Sequence, residues 1–173
     1  MIDDFESAFL KICSGKTAFI GVGNVDRADD GAGVVFAKRL EAAGRMHIFI
    51  GGTTPERVVS LTINQGFDHV VFLDAVSAGT TPGAAVILDA KEMTSRYPQV
   101  STHKISIGTL AQIAVAGSQT TAWLLGIEPK SIALGTVGLS PEVEDTINKL
   151  VKRIIEKSGA QLYPKHVMDL KWA

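Results

Sequence analysis

Short apolar runs alternate along this chain with segments in which apolar residues recur every three or four positions. The short runs are typical of buried strands, and the longer spacing is typical of helices that cover a sheet. Predicted strands lie at residues 17–22, 46–50, 69–73, 84–88 and 131–137. Predicted helices lie at residues 2–13, 31–43, 55–66 and 105–116, and a last helix begins at Pro141. The order α-β-α-β-α-β-β-α-β-α predicts a three-layer α/β sandwich, in which helices cover both faces of a mostly parallel central sheet.

Residues with strong positional preferences mark the ends of several predicted helices. Gly44 is expected to end the second helix, and Thr54 is expected to cap the third helix, with Pro55 at its first position. Ser140 and Pro141 play the same parts in the last helix. The buried stripe of that helix contains Val143, Ile147, Leu150, Val151 and Ile154.

Composition and charge indicate an ordinary globular protein. The chain has 173 residues, of which 46% are hydrophobic and 20% are charged, so residues 1–173 are expected to form a single domain. The formal net charge of −1 argues against broad binding to nucleic acid or to an anionic membrane. No apolar run approaches the roughly 20 residues that span a bilayer. We therefore expect contact with neither nucleic acid nor membrane, and we expect the protein to be a monomer.

The N-terminal residues and the cysteine content favour the cytoplasm. The sequence MIDDFESAFLKIC carries acidic residues where a secretory signal carries positive charge. Cys13 is the single cysteine, so no internal disulfide can form, which fits a reducing compartment. Cys13 also lies on the predicted buried face of the first helix and is therefore an unpromising nucleophile.

Two aspartates follow predicted strands that are expected to be neighbours. In open α/β sheets, ligands bind beyond the carboxyl ends of the strands, where the strand order reverses. If the first three strands have the common order 2-1-3, the loops after the first and third strands face each other across a crevice. Asp30 lies in the first of these loops and Asp74 directly follows the third strand. Asp30 could instead be a helix N-cap, a role for which Asp29 competes.

His103 is the third candidate, because it lies just before a predicted helix in the run Ser-Thr-His-Lys. Two carboxylates and an imidazole suit a borderline divalent cation such as zinc or nickel, with coordination positions left open. A lone histidine is more often a surface or capping residue, and the spacing of the three residues does not by itself establish a metal site. The loop after the first strand contains Gly23, Gly31 and Gly33. We expect Gly23 and either Gly31 or Gly33 to be glycine because the backbone there adopts left-handed torsions or is closely approached by other atoms.

The glycines after the first strand do not form a nucleotide-binding fingerprint. Gly21 and Gly23 begin a G-x-G pattern, but Asp26 occupies the position of the third glycine. The end of the second strand carries Gly51 and Gly52 where an acid would bind the ribose. Neither a phosphate-binding loop with lysine nor a G-x-S-x-G nucleophile turn is present.

The motifs around these candidates resemble those of the hydrogenase maturation endopeptidases. The likeness covers about residues 17–157, and leaves the N-terminal helix 2–13 and the tail 160–173 as additions. Its motifs follow the family's order and spacing: Gly21-Val22-Gly23-Asn24, Asp29-Asp30-Gly31 with Gly33, Gly52-Thr53, Pro55-Glu56, Leu73-Asp74-Ala75 and Ser101-Thr102-His103.

The resemblance implies a phosphorylase/hydrolase-like α/β sandwich that acts as an aspartic-type endopeptidase. Its substrate would be the large-subunit precursor of a nickel–iron hydrogenase, from which it removes a C-terminal extension after nickel insertion. Asp30, Asp74 and His103 would be the metal-binding and catalytic residues. The nickel would be supplied by the substrate, although another divalent metal such as zinc or cadmium could occupy the site.

One departure and two alternatives accompany this interpretation. Many relatives carry an acid just before the paired glycines, where this chain has Ile50, which bears on the identity of the substrate. A non-catalytic metal- or ligand-binding α/β module could use the same three residues. A small-molecule hydrolase acting on nucleosides or sugars would need aromatic residues near the crevice, and Trp123 and Trp172 lie outside the predicted loops.

Overall fold

The fold is built around one five-stranded sheet, in a computed structural model that describes residues 2–96 and 105–159. The strands are β1 Thr17–Val22, β2 Ile48–Gly52, β3 His69–Ala75, β4 Ala85–Asp89 and β5 Thr121–Ile127. The helices are α1 Ile2–Cys13, α2 Ala32–Ala42, α3 Glu56–Val59, α4 Ala90–Arg96, α5 Ile107–Val115 and α6 Pro141–Lys157. A short 3-10 helix, Ala28–Gly31, leads into α2.

The strand order is β2-β1-β3-β5-β4, so β1 lies between β2 and β3 as the 2-1-3 order predicts. These pairs and β3–β5 are parallel, whereas β4 runs antiparallel to β5 at the edge. The carboxyl ends of β1, β3 and β5 therefore share one edge of the sheet, which we call the carboxyl edge. The predicted α/β sandwich with a mostly parallel sheet is confirmed.

Two hydrophobic clusters cover the two faces of the sheet. Alternate residues of a strand point to opposite faces, and in β3 Val71 and Leu73 join one cluster while Val70 and Phe72 join the other. The first cluster contains the buried residues of α1, α2 and α6. The second contains those of α3, α4 and α5. Each face of the sheet is thus covered by helices, of which α4 is absent from the sequence-based prediction.

The predicted last strand at residues 131–137 is wrong. The strand is β5, which starts ten residues earlier and pairs with both β3 and β4 along its length. Residues 131–137 instead belong to the loop between β5 and α6, where Leu134 and Val137 are exposed. Residues 121–127 and 131–137 are both rich in apolar side chains, and only the pairing of residues 121–127 with β3 and β4 distinguishes the strand from the loop.

The ends of several elements differ from prediction by a few residues. The third helix is a single turn, and its N-cap is Pro55 rather than Thr54. Ser140 occupies the N-cap of α6 and Pro141 opens it, as predicted, but the Ser140 hydroxyl makes no cap hydrogen bond. None of the helices in the described ranges has the length and apolar character that a bilayer crossing requires.

Helix α2 lies directly on the backbone of β1 and β3. A β-carbon at Gly33 would lie 1.9 Å from the carbonyl oxygen of Leu73 and 2.4 Å from that of Val22. No side chain fits at these distances. The expectation that position 33 is glycine because the backbone is closely approached there is therefore confirmed. The absent side chain lets the first turn of α2 approach the carboxyl ends of two strands.

We expect Gly33→Ala to destabilise the fold by about 3 kcal/mol, because the added methyl group meets backbone atoms that cannot move independently. Gly108→Ala is the matched control. Its β-carbon would lie 3.2 Å from the Thr94 methyl group and at an ordinary contact distance of 3.7 Å from the Met93 backbone, and alanine favours the helix. Urea denaturation of both variants measures the effect. Equal stabilities would contradict the close approach of α2.

Candidate active site

Asp30 is buried in the 3-10 turn that connects β1 to α2. Its Oδ2 accepts a hydrogen bond from the backbone N–H of Asn24, 3.0 Å away, so the carboxylate points back across its own loop. The N-cap of α2 is Gly31, and no side chain caps that helix. The alternative in which Asp30 serves as the helix N-cap is therefore wrong.

Gly23 allows this loop to fold back so tightly. Its φ of 120° lies in a region that side-chain-bearing residues rarely adopt. A β-carbon there would lie 1.8 Å from the carbonyl oxygen of Asp30. The expectation that Gly23 serves the backbone is thus confirmed, and glycine at this position fixes where Asp30 lies.

Asp29 has a different environment, although it is the adjacent residue. It is fully buried, and its carboxylate accepts four hydrogen bonds. The donors are the backbone N–H groups of Lys130, Ser131 and Ser140 and the hydroxyl of Ser140, at 2.7–3.1 Å. Burial opposes ionisation, but these hydrogen bonds hold the pKa of Asp29 below its usual value. Asp29 does not cap a helix. It joins the loop before α2 to the loop before α6.

Asp74 emerges from the carboxyl end of β3 into the same region. Its Oδ1 accepts the N–H of Ala75 at 2.9 Å, and the side chain is buried. Burial, with a smaller contribution from the negative charge of Asp30, raises the pKa of Asp74 to about 8. The structure therefore places Asp30 close enough for its charge to act on Asp74.

His103 lies outside the described residues, so its convergence with the two aspartates stays a prediction. Within residues 2–96 and 105–159, no group of three histidine, cysteine, aspartate or glutamate side chains is arranged to hold a metal ion. Cys13 is buried as predicted, and burial raises the pKa of its thiol to about 11. A thiol held neutral in this way is a poor nucleophile.

Glu128 is a further buried acid at the carboxyl edge, which the sequence interpretation missed. It directly follows β5, as Asp74 nearly ends β3. Its Oε2 accepts the N–H groups of Ala78 and Thr80 and the Thr80 hydroxyl, at 2.8–3.1 Å. Glu128 thereby fixes the loop that follows Asp74. An acid that follows the apolar run 121–127 could have indicated this role, but the predicted last strand lies at residues 131–137.

The arrangement offers two buried carboxyl groups at the carboxyl edge, of which Asp74 has a raised pKa. The neutral form of Asp74 can donate a hydrogen bond and its ionised form can accept one. The two oxygen-bearing groups can also act together as ligands of a divalent cation. Both possibilities require a substrate that reaches the carboxyl edge.

The chain matches the model of the hydrogenase maturation protease family over residues 34–157. It belongs to the hydrogenase maturation protease family. The family resemblance predicted from the motifs is confirmed, and the protein is a peptidase.

Relatives of this hydrogenase maturation protease support the same family and fold. The hydrogenase 3 maturation protease of Escherichia coli K12 is 24% identical over 135 residues, which is 77% of this chain and 85% of that protein. The HycI hydrogenase maturation protease of Thermococcus kodakarensis KOD1 superposes with a TM-score of 0.78 at 25% identity, covering 88% and 99% of the two chains. The maturating endopeptidase HybD of E. coli has a TM-score of 0.64 at 25% identity, with 87% and 98% covered.

We expect the stability of this hydrogenase maturation protease to fall with rising pH because of Asp74. From about pH 4 to about pH 8 the folded protein keeps a proton that the unfolded chain has lost, so the free energy of unfolding decreases. Asp74→Asn has no such proton. Relative to the parent, the variant should gain at least about 1 kcal/mol between pH 5 and pH 8 in urea denaturation. Parallel pH profiles would show that Asp74 ionises normally.

Asp29 should show the opposite dependence on pH. Asn at position 29 would present an amide N–H₂ group to donors, so we expect Asp29→Asn to lower stability by about 2 kcal/mol at pH 7. The pKa of Asp29 is lowered by folding, so its contribution is lost as the pH falls below about 4 and the deficit should shrink there. Denaturation at pH 7 and pH 3 tests this. The exposed neighbour Asp26, replaced by Asn, is the control and should change little.

Proposed function

We propose that this protein removes a C-terminal extension from the large-subunit precursor of a nickel–iron hydrogenase, in the cytoplasm, after nickel has been inserted. The proposal rests on one observation above all. Asp30 and Asp74 are both buried at the carboxyl edge, and burial, together with the negative charge of Asp30, raises the pKa of Asp74 to about 8. A pair of carboxyl groups that disfavours two negative charges gains affinity for a substrate that brings a cation.

In this proposal the nickel belongs to the substrate, and the protease binds the precursor more tightly when nickel is present. Asp30, Asp74 and His103 would bind the nickel of the precursor, since carboxylates and imidazole are suitable ligands for it. A precursor without nickel would leave the two carboxyl groups uncompensated and would bind less well. Zinc or cadmium could occupy the same ligands in its absence. Cleavage would thereby follow metal insertion and not precede it.

Binding at the nickel would also hold the scissile peptide bond beside the two carboxyl groups. Among the described residues, Asp30 and Asp74 are the candidates for accepting a proton from the attacking water. The buried and neutral Cys13 makes a covalent thiol mechanism unattractive. We therefore favour direct attack by water at this site.

The two alternatives from the sequence fit less well. A non-catalytic binding module is disfavoured because the family consists of proteases. A nucleoside or sugar hydrolase would use stacking aromatics, but the Trp123 indole donates to the Thr121 hydroxyl at the start of β5, away from the carboxyl edge.

Asp30→Asn separates this function from a structural role. The amide keeps an oxygen for the Asn24 N–H and removes a negative charge beside Asp74, so the variant should be as stable as the parent or slightly more stable. An amide is a poorer ligand of a divalent cation. We therefore expect cleavage of a nickel-loaded precursor to fall by roughly 100-fold or more, since losing a ligand costs at least as much as losing an outer-shell partner.

The measurement compares thermal midpoint and precursor cleavage, followed by mass spectrometry, for the parent, Asp30→Asn and the exposed control Asp26→Asn. Each protein is given nickel-loaded and nickel-free precursor. Cleavage by Asp30→Asn at the parent's rate would remove Asp30 from the site. Equal rates of cleavage of nickel-loaded and nickel-free precursor by the parent would contradict the proposal that recognition depends on nickel.

A further inference from the structure

The loop between β5 and α6, residues 128–140, lies at the same edge as Asp30 and Asp74. Loops of about this length without regular structure are uncommon in compact domains and are usually functional or disordered. The Asp29 carboxylate accepts the N–H groups of Lys130 and Ser131 near the start of the loop and that of Ser140 at its end. One buried side chain thus closes the base of the loop.

Backbone hydrogen bonds then hold the tip of this loop against the segment that leads to Asp30. The N–H of Gly135 donates to the carbonyl of Asp26 at 2.9 Å, and the N–H of Ala28 donates to the carbonyl of Thr136 at 2.7 Å. Arg27 and Thr136 also form a parallel β-bridge. The tip is therefore an ordered part of the surface around the crevice.

The tip exposes apolar side chains that the fold does not use. Leu134 is 77% exposed and Val137 is 82% exposed, more than the other large exposed hydrophobic residues of the described chain. Ile132 in the same loop and Val25 on the facing segment are also exposed. We call these four residues, Val25, Ile132, Leu134 and Val137, the apolar lip. They lie on two segments whose backbones are hydrogen-bonded to each other. Several exposed apolar residues on joined segments are typical of interaction sites, whereas single ones are normal.

The remaining exposed apolar residues do not form such a group. Each lies on or beside a separate element, with Leu10 on α1, Ile50 on β2, Leu61 after α3 and Ile113 on α5. Their exposed fractions are 50%, 39%, 56% and 45%. Leu134 and Val137 differ from them in exposure, and the lip as a whole differs in its attachment to the loop that carries Asp30.

We propose that the apolar lip binds an apolar stretch of the polypeptide substrate beside the bond that is cleaved. The proposal rests on the proposed function and adds to it a means of recognising the chain around the metal. A peptidase must receive a polypeptide at its active site, and the lip is joined by hydrogen bonds to the segment that ends at Asp30. A chain that reaches Asp30 and Asp74 passes over this surface, and apolar side chains on that chain lose contact with water there.

The test replaces the two most exposed residues of the lip. The double variant Leu134→Ser/Val137→Ser should raise KM for the nickel-loaded precursor by about tenfold with kcat unchanged, since the contact forms before and during the reaction. Its thermal midpoint should match the parent's, because both side chains are exposed. Leu134→Met keeps an apolar side chain and should retain the parent's KM. Leu61→Ser, an equivalent change on a separate element, should also leave KM unchanged.

The possible outcomes separate this proposal from the function on which it rests. If the parent does not cleave the precursor, the proposed function and the lip fall together. If the parent cleaves and the double variant has the parent's KM, only the lip is overturned. Sedimentation of the parent and the double variant covers self-association. A parent dimer that the double variant converts to a monomer with unchanged KM would make the lip a contact between copies and overturn substrate docking.

Discussion

The close approach of α2 to the sheet is the constraint on which the candidate site depends. Gly33 leaves no room for a side chain between the first turn of α2 and the carbonyl groups of Val22 and Leu73. Asp30 lies three residues before this contact, and Asp74 follows Leu73 directly. Because one contact fixes the start of the helix against the end of β3, the two aspartates enter one crevice.

Two buried acids at the carboxyl edge, Asp29 and Asp74, have pKa values shifted in opposite directions by their surroundings. Asp29 and Asp74 are both buried, but Asp29 accepts four hydrogen bonds and Asp74 accepts one from its own chain neighbour. Hydrogen bonds favour the charged form, and burial without them disfavours it. The pKa of Asp29 is consequently lowered and that of Asp74 raised. The ionised acid organises the loops, whereas the neutral acid remains free to respond to a substrate.

Much of this arrangement could be predicted from local patterns along the chain. The apolar runs identified β1 to β3, and the common order 2-1-3, which these strands have, brings the loops of Asp30 and Asp74 together. The last strand was misplaced because residues 121–127 and 131–137 are both apolar, and only pairing with β3 and β4 distinguishes them. That error also hid Glu128. The role of Asp29 could not be predicted, since its partners lie more than a hundred residues away and no local pattern identifies them.

The hydrogen bonds of Asp29 also hold the two ends of one loop at the carboxyl edge in fixed positions. The loop before α6 is held at both ends, so the distance between those ends does not depend on what lies between them. Exchanges of the exposed side chains at the tip would change the surface beside Asp30 and leave both ends of the loop in place. A change in the length of the tip would act differently, because the backbone of the tip is hydrogen-bonded to the segment that leads to Asp30. The loop thus tolerates changes of side chain more readily than changes of length.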